Sequence, residues 1–264
     1  MASSEWPPRQ ALRALCERAG EAILAVRETG DWEQREKADA SPVTAADQAA
    51  HACLMTGLAA LTPEVPVLSE EAVVPWEERR GWTCYWLVDP LDGTREFIEG
   101  YDDFTVNLAL VEAGRVRYGV VHAPVAGTTW EGGAGLGAWR WQAGRGEAIA
   151  VAPQWPPRGV ASRAHLDSRT QAWLRRFPEA RLVRCGSSVK FCRIAEGAAD
   201  LYPRFAPTSE WDTAAAQAVL EGAGGAVLDA RTLMPLRYNA GESLRNPDFI
   251  ACADALGPWR EITK

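Results

Sequence analysis

Two segments near the amino terminus carry apolar residues at helical spacing. Between residues 11 and 28 these residues recur every three or four positions, which predicts an amphipathic helix. A second helix is predicted from Ala45 to Leu61, because Pro42 disfavours a helix just before it and Thr44 is suited to cap its first turn. Asp47 then lies in that first turn, where a negative charge is favourable near the helix dipole without any catalytic role.

The central part of the chain has the pattern of strands. A run of apolar and aromatic residues from Cys84 to Val88 predicts a buried strand. Pro90 has no N–H for a neighbouring strand, so we expect this strand to end at Asp89, where the chain turns. A short strand is also predicted at Pro66–Leu68. Four further strands form a predicted antiparallel meander at residues 104–111, 115–122, 128–132 and 137–142.

From Gly159 onward, strands and helices alternate, which is typical of α/β layering with substantial parallel pairing. The proline-rich segment 153–157 precedes this change of pattern and is a candidate junction. We therefore expect an N-terminal α+β half at residues 1–152 and a C-terminal α/β half at residues 153–264, packed as one compact unit. The predicted C-terminal strands are 160–162, 181–185, 201–202, 225–228 and 249–252, and the predicted helices are 168–177, 188–196 and 212–223.

The composition narrows the classes of partner. The chain has 264 residues, of which 47% are hydrophobic, enough for a substantial core. A net charge of −7 argues against binding of a nucleic acid polymer, because such binding depends on Lys and Arg. It does not argue against a small phosphorylated substrate, since bound cations can supply the positive charge. No apolar run approaches the length of a membrane span, so no integral membrane association is expected.

Residues 89–94, with the sequence Asp-Pro-Leu-Asp-Gly-Thr, are the first candidate site for chemistry. The turn after the strand holds Asp89 and Asp92 close together, beside backbone N–H groups at Gly93 and Thr94 that are expected to open a helical turn. Two carboxylates suit a hard divalent cation, and N–H groups at the start of a helix suit a phosphate. The alternative is an ordinary acidic turn, because Asp, Gly and Pro also favour turns for conformational reasons.

Several segments together resemble the inositol monophosphatase superfamily of metal-dependent, lithium-sensitive phosphatases. Residues 89–94 follow an apolar strand and match the superfamily motif without a gap. Residues 42–47 (Pro-Val-Thr-Ala-Ala-Asp), 69–71 (Ser-Glu-Glu) and 211–215 (Trp-Asp-Thr-Ala-Ala) match further elements. Ala216 replaces the usual Gly, for which we expect a small packing adjustment. The resemblance implies an inositol monophosphatase-like fold, which is a layered α-β-α-β-α sandwich of mixed α+β and α/β character.

The resemblance also implies the ligands of Mg²⁺. One ion is expected at Glu70, Asp89 and the Leu91 carbonyl, and a second at Asp89, Asp92 and Asp212. A third, weaker ion near Glu70 is a further option, so that two or three Mg²⁺ ions are implied for each active site. Each carboxylate also has a purely structural explanation, but four such explanations in four matching contexts are improbable.

The catalytic roles are likewise implied by the resemblance. Asp47 and Thr94, together with Glu70, are expected to position the attacking water. The N–H groups of Gly93 and Thr94 are expected to receive phosphate oxygens. No nucleophilic Ser or Cys is required, so we expect no phosphorylated enzyme intermediate.

Within the superfamily, the chain is more similar to bacterial 3'(2'),5'-bisphosphate nucleotidases than to inositol monophosphatases. Residues 95–97 are Arg-Glu-Phe, where inositol monophosphatases typically have an Asn before the Phe, and residues 186–192 and 201–205 resemble the nucleotidases. Without this resemblance, Lys190 would be assigned to a solvated helix face and His165 to a loop. The residues implied to hold the second phosphate, the base and the substrate are His165, Ser187, Lys190 and Arg204, together with Asp212.

The expected activity is hydrolysis of the 3'-phosphate of adenosine 3',5'-bisphosphate (PAP) to AMP, with inhibition by Li⁺ and with PAPS as a second substrate. The alternatives are an inositol-1-phosphate or other sugar-phosphate phosphatase, and a catalytically silent metal- or nucleotide-binding protein. The six cysteines include no Cys-x-x-Cys pair and are expected to be buried thiols in a reducing compartment. We therefore expect a cytoplasmic monomer or homodimer, with a peripheral position at the inner membrane as an alternative location.

Overall fold

The computed structural model describes residues 7–30, 34–36, 42–162 and 167–262. The helices of these residues are α1 (Arg9–Thr29), α2 (Ala45–Leu61), α3 (Trp76–Arg79), α4 (Thr94–Ile98), α5 (Ser168–Leu174), α6 (Val189–Ala195), α7 (Trp211–Gly222) and α8 (Trp259–Ile262). The strands are β1 (Gln34–Glu36), β2 (Pro42–Thr44), β3 (Val67–Ser69), β4 (Cys84–Asp92), β5 (Thr105–Glu112), β6 (Arg115–Ala123), β7 (Thr128–Gly133), β8 (Gly137–Gln142), β9 (Arg145–Ile149), β10 (Arg158–Ala161), β11 (Arg181–Arg184), β12 (Leu201–Arg204), β13 (Ala226–Asp229) and β14 (Phe249–Cys252).

Two large sheets form the framework of the molecule. The first has seven strands in the order β3-β4-β5-β6-β7-β8-β9, and the second has five in the order β11-β10-β12-β14-β13. In the first sheet only β3 and β4 are parallel, and the remaining neighbours form the antiparallel meander that the alternating pattern predicts. The boundary between the two sheets falls between Ile149 and Arg158.

The first sheet is buried on both faces because alternate residues of its central strands enter two different cores. Trp86 and Leu108 pack with helices α1 and α2 on one face. Their neighbours Leu87 and Ala109 enter a second core, which also contains residues of α6, α7 and the second sheet. Side chains of a strand point alternately to its two faces, which explains this division.

Helix α7 lies directly against the first sheet, and glycines allow the close approach. A Cβ on Gly119 of β6 would lie 2.2 Å from the Ala215 carbonyl oxygen, and a Cβ on Gly222 would lie 2.5 Å from the Gly137 carbonyl oxygen. Ala216, where the superfamily usually has Gly, is buried in the same helix, and α7 runs without a break from Trp211 to Gly222.

The outer face of the second sheet is covered by a third core. Trp173 and Phe177, in α5 and just after it, and Trp259 of α8 pack there with Leu201 and Ile250. The order of layers is therefore α1 and α2, the seven-stranded sheet, α6 and α7, the five-stranded sheet, and α5 with α8. This is the α-β-α-β-α sandwich that was expected.

The structure corrects the expectation for β4. This strand does not end at Asp89 but continues through Pro90 to Asp92. Its pairing with β5 shifts register between Asp89 and Asp92, so the ladder contains an irregularity where Pro90 and Leu91 have no direct partners. A bulge tolerates a proline because the extra residues do not need to donate to the neighbouring strand.

Other corrections concern strands with weak patterns. Strand β9 was not predicted, and its residues are largely exposed, so they lack the apolar alternation of a half-buried strand. Strand β1, which was also not predicted, lies between α1 and α2 and pairs with β2. The second sheet is mixed: β10 is parallel to β11 and β12, whereas β14 is antiparallel to β12 and β13.

Among the described residues, no helix is both long and apolar enough to span a membrane.

Candidate active site

Asp47 and Thr94 are brought together from distant parts of the sequence. Thr44 caps α2, and its N–H and its hydroxyl group each donate to Asp47 Oδ2 at 2.7 Å. The other carboxylate oxygen of Asp47 accepts a hydrogen bond from Thr94 Oγ1 at 3.1 Å. Thr94 Oγ1 also lies 3.2 Å from the Leu91 carbonyl oxygen, so its one proton is shared between two acceptors. The structural role of Asp47 in the helix cap and its contact with Thr94 thus coexist.

The irregular end of β4 sets the positions of Asp89 and Asp92. Asp89 Oδ1 accepts the N–H of Leu91 at 3.1 Å, which stabilises the bulge. Asp92 Oδ2 lies 3.4 Å from Asn107 Nδ2, in the facing strand β5. Gly93 follows with a φ of 98°, a left-handed conformation that favours glycine, and α4 begins at the next residue. The turn therefore places both carboxylates beside the start of α4.

Glu70 reaches the same region from β3. Because β3 and β4 are parallel, their carboxyl ends lie side by side, and Glu70 N–H donates to the Val88 carbonyl at 3.1 Å. Glu70 lines a cavity together with Asp92 and Asp212, whereas Glu71 Oε2 accepts a hydrogen bond from Gln48 Nε2 at 3.0 Å. The structure thus separates the two neighbouring glutamates, with Glu70 at the cavity and Glu71 bonded to α2.

Asp212 enters from the opposite layer, in the first turn of α7. Its Oδ2 accepts the N–H of Ser209 at 2.8 Å, which is one of the two hydrogen bonds of a capping box. Its backbone carbonyl accepts the hydroxyl proton of Ser188 at 3.0 Å, and Asn107 donates to the same hydroxyl at 3.0 Å. The two hydrogen bonds that join Asn107, Ser188 and Asp212 therefore connect the first sheet, the start of α6 and α7 at the site.

The carboxyl groups strongly perturb one another. Burial raises the pKa of Asp89 well above its usual value, and Glu70, Asp92 and Asp212 raise it further. Burial and the charge of Asp92 raise the pKa of Asp212 to about 8, although the Ser209 N–H acts in the opposite direction. Both shifts arise first from burial and then from the accumulation of neighbouring carboxyl groups.

This donor set suits a hard divalent cation, which prefers several carboxylate and carbonyl oxygens. A cation between the carboxyl groups would relieve the repulsion that raises their pKa values. Within the described part of the chain, however, no three His, Cys, Asp or Glu side chains are already arranged so that they could hold a metal ion.

Glu70, Asp92 and Asp212 share an open cavity of ≈ 370 Å³ with other residues of the second half of the chain, whereas Asp89 is buried and is not part of its lining. This cavity brings together most of the residues that the resemblance assigned to the substrate. Its lining includes Glu70, Asp92, Gly93, Thr94, Ser187, Lys190, Arg204 and Asp212. His165 lies outside the described residues.

Ser187 and Arg204 present unsatisfied polar atoms. Ser187 is 8% exposed and has a φ of 43°, which is uncommon for a residue with a side chain. Neither Ser187 Oγ nor Arg204 Nε has a hydrogen-bond partner among the described residues. Buried polar groups normally have partners, so these two atoms are available to a ligand.

Lys190 lies in the first turn of α6 and is only 6% exposed. Its Nζ lies 5.3 Å from the centre of the Tyr202 ring, within the range of a cation–π interaction. The alternative of a solvated helix face is therefore wrong. Lys190 contributes positive charge to the cavity.

Several residues of the site were not predicted from the sequence. Glu96 lines the cavity, and burial raises its pKa. Asp103 Oδ2 accepts the N–H of Gly186 at 3.2 Å, which ties the loop before β5 to the segment of Ser187. A Cβ on Gly186 would lie 2.6 Å from the Asp103 carbonyl oxygen, so the approach needs a glycine. The sequence does show that position 96 is Glu, where inositol monophosphatases typically have Asn. The contact of Asp103 with Gly186 joins residues that are far apart in sequence, and no local pattern indicates it.

The fold and the site define a layered α/β protein whose acidic and basic residues share a cavity suited to phosphate esters. A sequence model of the inositol monophosphatase family matches residues 7–258, and the chain belongs to this family. The chain is 48% identical over 236 residues to the 3'(2'),5'-bisphosphate nucleotidase CysQ of Escherichia coli K12, covering 89% of this chain and 95% of that protein. It is 38% identical over 231 residues to the CysQ of Haemophilus influenzae, covering 86% of each chain.

Solved structures agree with this assignment. The structure of CysQ from Bacteroides thetaiotaomicron, described as a bacterial member of the inositol monophosphatase family, superposes with a TM-score of 0.80 at 39% identity, covering 93% of this chain and 98% of that chain. The IMPase of Thermotoga maritima has a TM-score of 0.76 at 24% identity, covering 95% of this chain and 92% of that chain, and this likeness concerns the fold alone.

Proposed function

We propose that this chain is a Mg²⁺-dependent phosphatase that removes the 3'-phosphate of PAP and releases AMP. The observation that carries the proposal is that one cavity contains both a carboxylate cluster and the cationic side chains of Lys190 and Arg204. A monophosphate can be bound by metal ions alone, whereas a second phosphate needs positive partners of its own. The relatives named as 3'(2'),5'-bisphosphate nucleotidases support the same substrate.

The second phosphate and the nucleoside would be bound by residues of the second half. Arg204 Nε and Ser187 Oγ lack partners among the described residues, and both belong to residues that line the cavity. A guanidinium group can donate two parallel hydrogen bonds to a phosphate, and Lys190 adds a second positive charge. His165 is proposed as a further ligand on the basis of the family resemblance alone.

Mg²⁺ would be held by Glu70, Asp89, Asp92 and Asp212, with the Leu91 carbonyl as an additional oxygen ligand, in two or at most three sites. When bound, these ions would neutralise charge on the phosphate and lower the pKa of the attacking water. The contribution of the chain is to hold the ligands close together from two neighbouring strands of the first sheet and from α7.

Asp47 and Thr94 would orient the attacking water. Thr94 Oγ1 shares its proton between Asp47 and Leu91, so its lone pairs can accept a hydrogen bond from water. Thr44 holds the second oxygen of Asp47, which keeps this carboxylate in place. Glu70 would accept a hydrogen bond from the other water proton. The N–H groups of Gly93 and Thr94 would bind phosphate oxygens.

Further properties are proposed on the family resemblance. Li⁺ would inhibit by taking a cation position, and PAPS would be a second substrate. All six cysteines have free thiols, which supports a reducing compartment such as the cytoplasm, with peripheral membrane association as an alternative. The active unit would be a monomer or a homodimer.

The competing function is hydrolysis of inositol 1-phosphate or another sugar phosphate on the same scaffold. The metal-binding carboxylates are equally compatible with it, because they act only on the phosphate that is removed. The two functions differ in whether a second phosphate contacts Lys190.

The test is phosphate release from PAP and from inositol 1-phosphate, measured side by side with Mg²⁺ and with or without Li⁺. We expect the wild-type protein to prefer PAP and Lys190→Ala to lower kcat/KM for PAP about tenfold to a hundredfold, because a hydrogen bond to a charged group is lost. The matched control is Arg193→Ala, which removes an exposed cation from the same helix.

The outcomes separate the two functions. Loss of activity on PAP alone in Lys190→Ala supports a nucleotide bisphosphate substrate. Equal activity of the wild-type protein and Lys190→Ala on both substrates favours the sugar-phosphate function. An absence of turnover on either substrate would contradict a phosphatase of this type.

A further inference from the structure

A buried arginine outside the cavity links the two segments that carry Glu70 and Asp212. Arg79 is the last residue of α3 and is only 2% exposed. Its guanidinium group donates to four acceptors in two different parts of the chain. These acceptors are the Val74 carbonyl, Asn239 Oδ1, the Gly241 carbonyl and the Glu242 carbonyl.

Asn239 extends this contact towards α7. Its side-chain amide returns a hydrogen bond to the Arg79 carbonyl at 2.7 Å, so the two residues are joined in both directions. Its backbone N–H donates to both carboxylate oxygens of Glu210, at 3.0 and 2.8 Å. Glu210 is buried and directly precedes α7. We refer to Arg79, Asn239 and Glu210 as the Arg79 cluster.

Glu210 in turn fixes the beginning of α7. Its carbonyl oxygen accepts the N–H of Ala214 at 3.1 Å and the hydroxyl proton of Thr213 at 3.2 Å. Its own N–H donates to the Leu244 carbonyl at 2.8 Å. Asp212 lies between these contacts, so a displacement of Glu210 would displace the first turn that carries Asp212.

On the other side, Arg79 fixes the segment that follows Glu70. The Arg79 Nε–H donates to the Val74 carbonyl at 3.0 Å, which closes a short loop between Glu70 and α3. The N–H of Ala72 donates to the Ser69 carbonyl at 3.1 Å, which holds the start of the same loop. One guanidinium group therefore contacts the Glu70 segment directly and the Asp212 segment through two residues.

We propose that Arg79 is a positioning residue that sets the affinity of the site for divalent cations. The inference rests on the proposed function, because it takes Glu70 and Asp212 as ligands of the ions. A cation is bound tightly only when its ligands are held at fixed separations, and residues behind the ligands supply this order. Glu70 and Asp212 come from different layers, so their separation depends on a connection between those layers.

Arginine is needed for this connection because of its shape. Its planar group presents five N–H donors in fixed directions, and four acceptors surround it here. Lysine has the same charge on a single nitrogen and cannot reach acceptors on both segments. Arg79→Lys therefore keeps the charge and removes the connection.

The test measures binding of Mg²⁺ alone to the substrate-free protein by titration calorimetry, together with unfolding by urea. We expect Arg79→Lys to weaken Mg²⁺ binding about tenfold or more, as is common for residues behind metal ligands. The matched control is Arg80→Lys, because Arg80 is the neighbouring residue and is exposed. Activity measured at rising Mg²⁺ should recover in Arg79→Lys, with kcat approaching the wild-type value and KM for the substrate unchanged.

A second variant removes a single link of the cluster. Asn239 has a φ of 51°, so Asn239→Gly suits the backbone, keeps the N–H bonds to Glu210 and removes only the side chain that contacts Arg79. We expect it to weaken Mg²⁺ binding in the same direction. This variant keeps the proposal testable if Arg79→Lys does not fold.

The results distinguish the inference from the proposed function. If the folded variants bind Mg²⁺ as the wild-type protein does and only their resistance to urea falls, Arg79 serves stability alone and the inference is wrong. If the wild-type protein itself binds no Mg²⁺, the proposed function fails instead.

Discussion

At the scale of single residues, the most unusual feature is the accumulation of carboxyl groups around Asp89. Asp89 is buried, and its neighbours Glu70, Asp92 and Asp212 all disfavour its ionisation. Functional sites commonly carry such strain because the ligand that relieves it is the substrate or a metal ion. The crowding of these carboxyl groups should therefore lower the free energy of unfolding of the metal-free protein.

Asp89→Asn tests this strain. The substitution replaces a carboxyl group whose ionisation is disfavoured in the folded protein by a neutral amide, so at pH 7 and in EDTA we expect the variant to melt a few degrees above the wild-type protein, on the order of 1 kcal/mol or more. With Mg²⁺ the order should reverse, because only the wild-type protein gains stability from the bound ion. Turnover should be lost. Glu64→Gln, at an exposed carboxylate, is the control, and equal melting temperatures in EDTA would contradict the prediction.

His122 provides a second prediction at this scale. It is buried on β6, its Nδ1 lies 2.9 Å from Thr129 Oγ1, and burial lowers its pKa from 6.5 to about 4. Thr129 Oγ1 in turn donates its proton to the Glu17 carboxylate at 3.2 Å. Between pH 6.5 and about 4 the unfolded chain binds a proton at this position and the folded protein does not.

Stability therefore falls as the pH is lowered through this window, and His122 contributes a loss of about 3 kcal/mol by its lower end. In His122→Gln, which keeps a polar partner for Thr129, the free energy of unfolding should depend less steeply on pH between 6.5 and 4. Urea titrations at several pH values measure the difference. Parallel pH profiles for the two proteins would show that His122 does not titrate as described.

At the scale of elements, α7 is the helix on which the site depends. It carries Asp212, it packs against the first sheet, and its buried face contributes to the core between the two sheets. The sheet can approach so closely only because Gly119 has no side chain. The packing of Gly119, which is distant in sequence from both Asp89 and Asp212, thus affects the position of Asp212 relative to Asp89.

Gly119→Ala should separate α7 from β6. The new Cβ would lie 2.2 Å from the Ala215 carbonyl oxygen, and helix backbone cannot move aside as a flexible side chain can. We expect a loss of about 1–3 kcal/mol or more in the free energy of unfolding, as in other overpacked cores. Gly81→Ala is the matched control, since a Cβ there meets nothing within 4 Å. Equal stability of the two variants would show that the helix can shift freely.

At the scale of the whole molecule, the predicted division at residue 152 separates two sheets that share one core. Residues of both halves, such as Tyr85 and Phe249, belong to the same cluster, together with α6 and α7. We propose that residues 1–152 and 153–264 form a single folding unit. Each half also has a core of its own, around Leu54 in the first and around Trp173 in the second, but the central core is complete only when both halves are present.

This proposal predicts that a fragment of residues 1–152 does not fold. Without α6, α7 and the second sheet, one face of the seven-stranded sheet would expose its apolar residues to water. The fragment should show no cooperative unfolding transition in urea, whereas the whole chain should unfold in one transition by both fluorescence and circular dichroism. A cooperative transition of the isolated fragment would contradict the single unit.

How far the fold could be predicted depended on how local the signals were. Helices α1 and α2 follow from periodicity and from the Thr44 cap, which involve residues close in sequence. The prediction ended β4 at Asp89, because a proline disfavours a strand unless the partner strand accommodates it. In the structure, the shift in pairing with β5 accommodates Pro90. Strand β9 was missed because an exposed edge strand does not need alternating apolar residues.

Most helices and strands, the family resemblance and the acidic motif of Asp89 and Asp92 could be predicted from the sequence, because each signal lies in residues within a few positions of one another. The burial of Lys190 beside the carboxylates, the contact of Asp103 with Gly186, and the connection that Arg79 makes between the segments of Glu70 and Asp212 became visible only in the folded molecule. These contacts span long stretches of chain, and no local periodicity encodes them. They arise when two sheets close on α6 and α7, because burial of their shared apolar core sets the distances between otherwise unrelated segments.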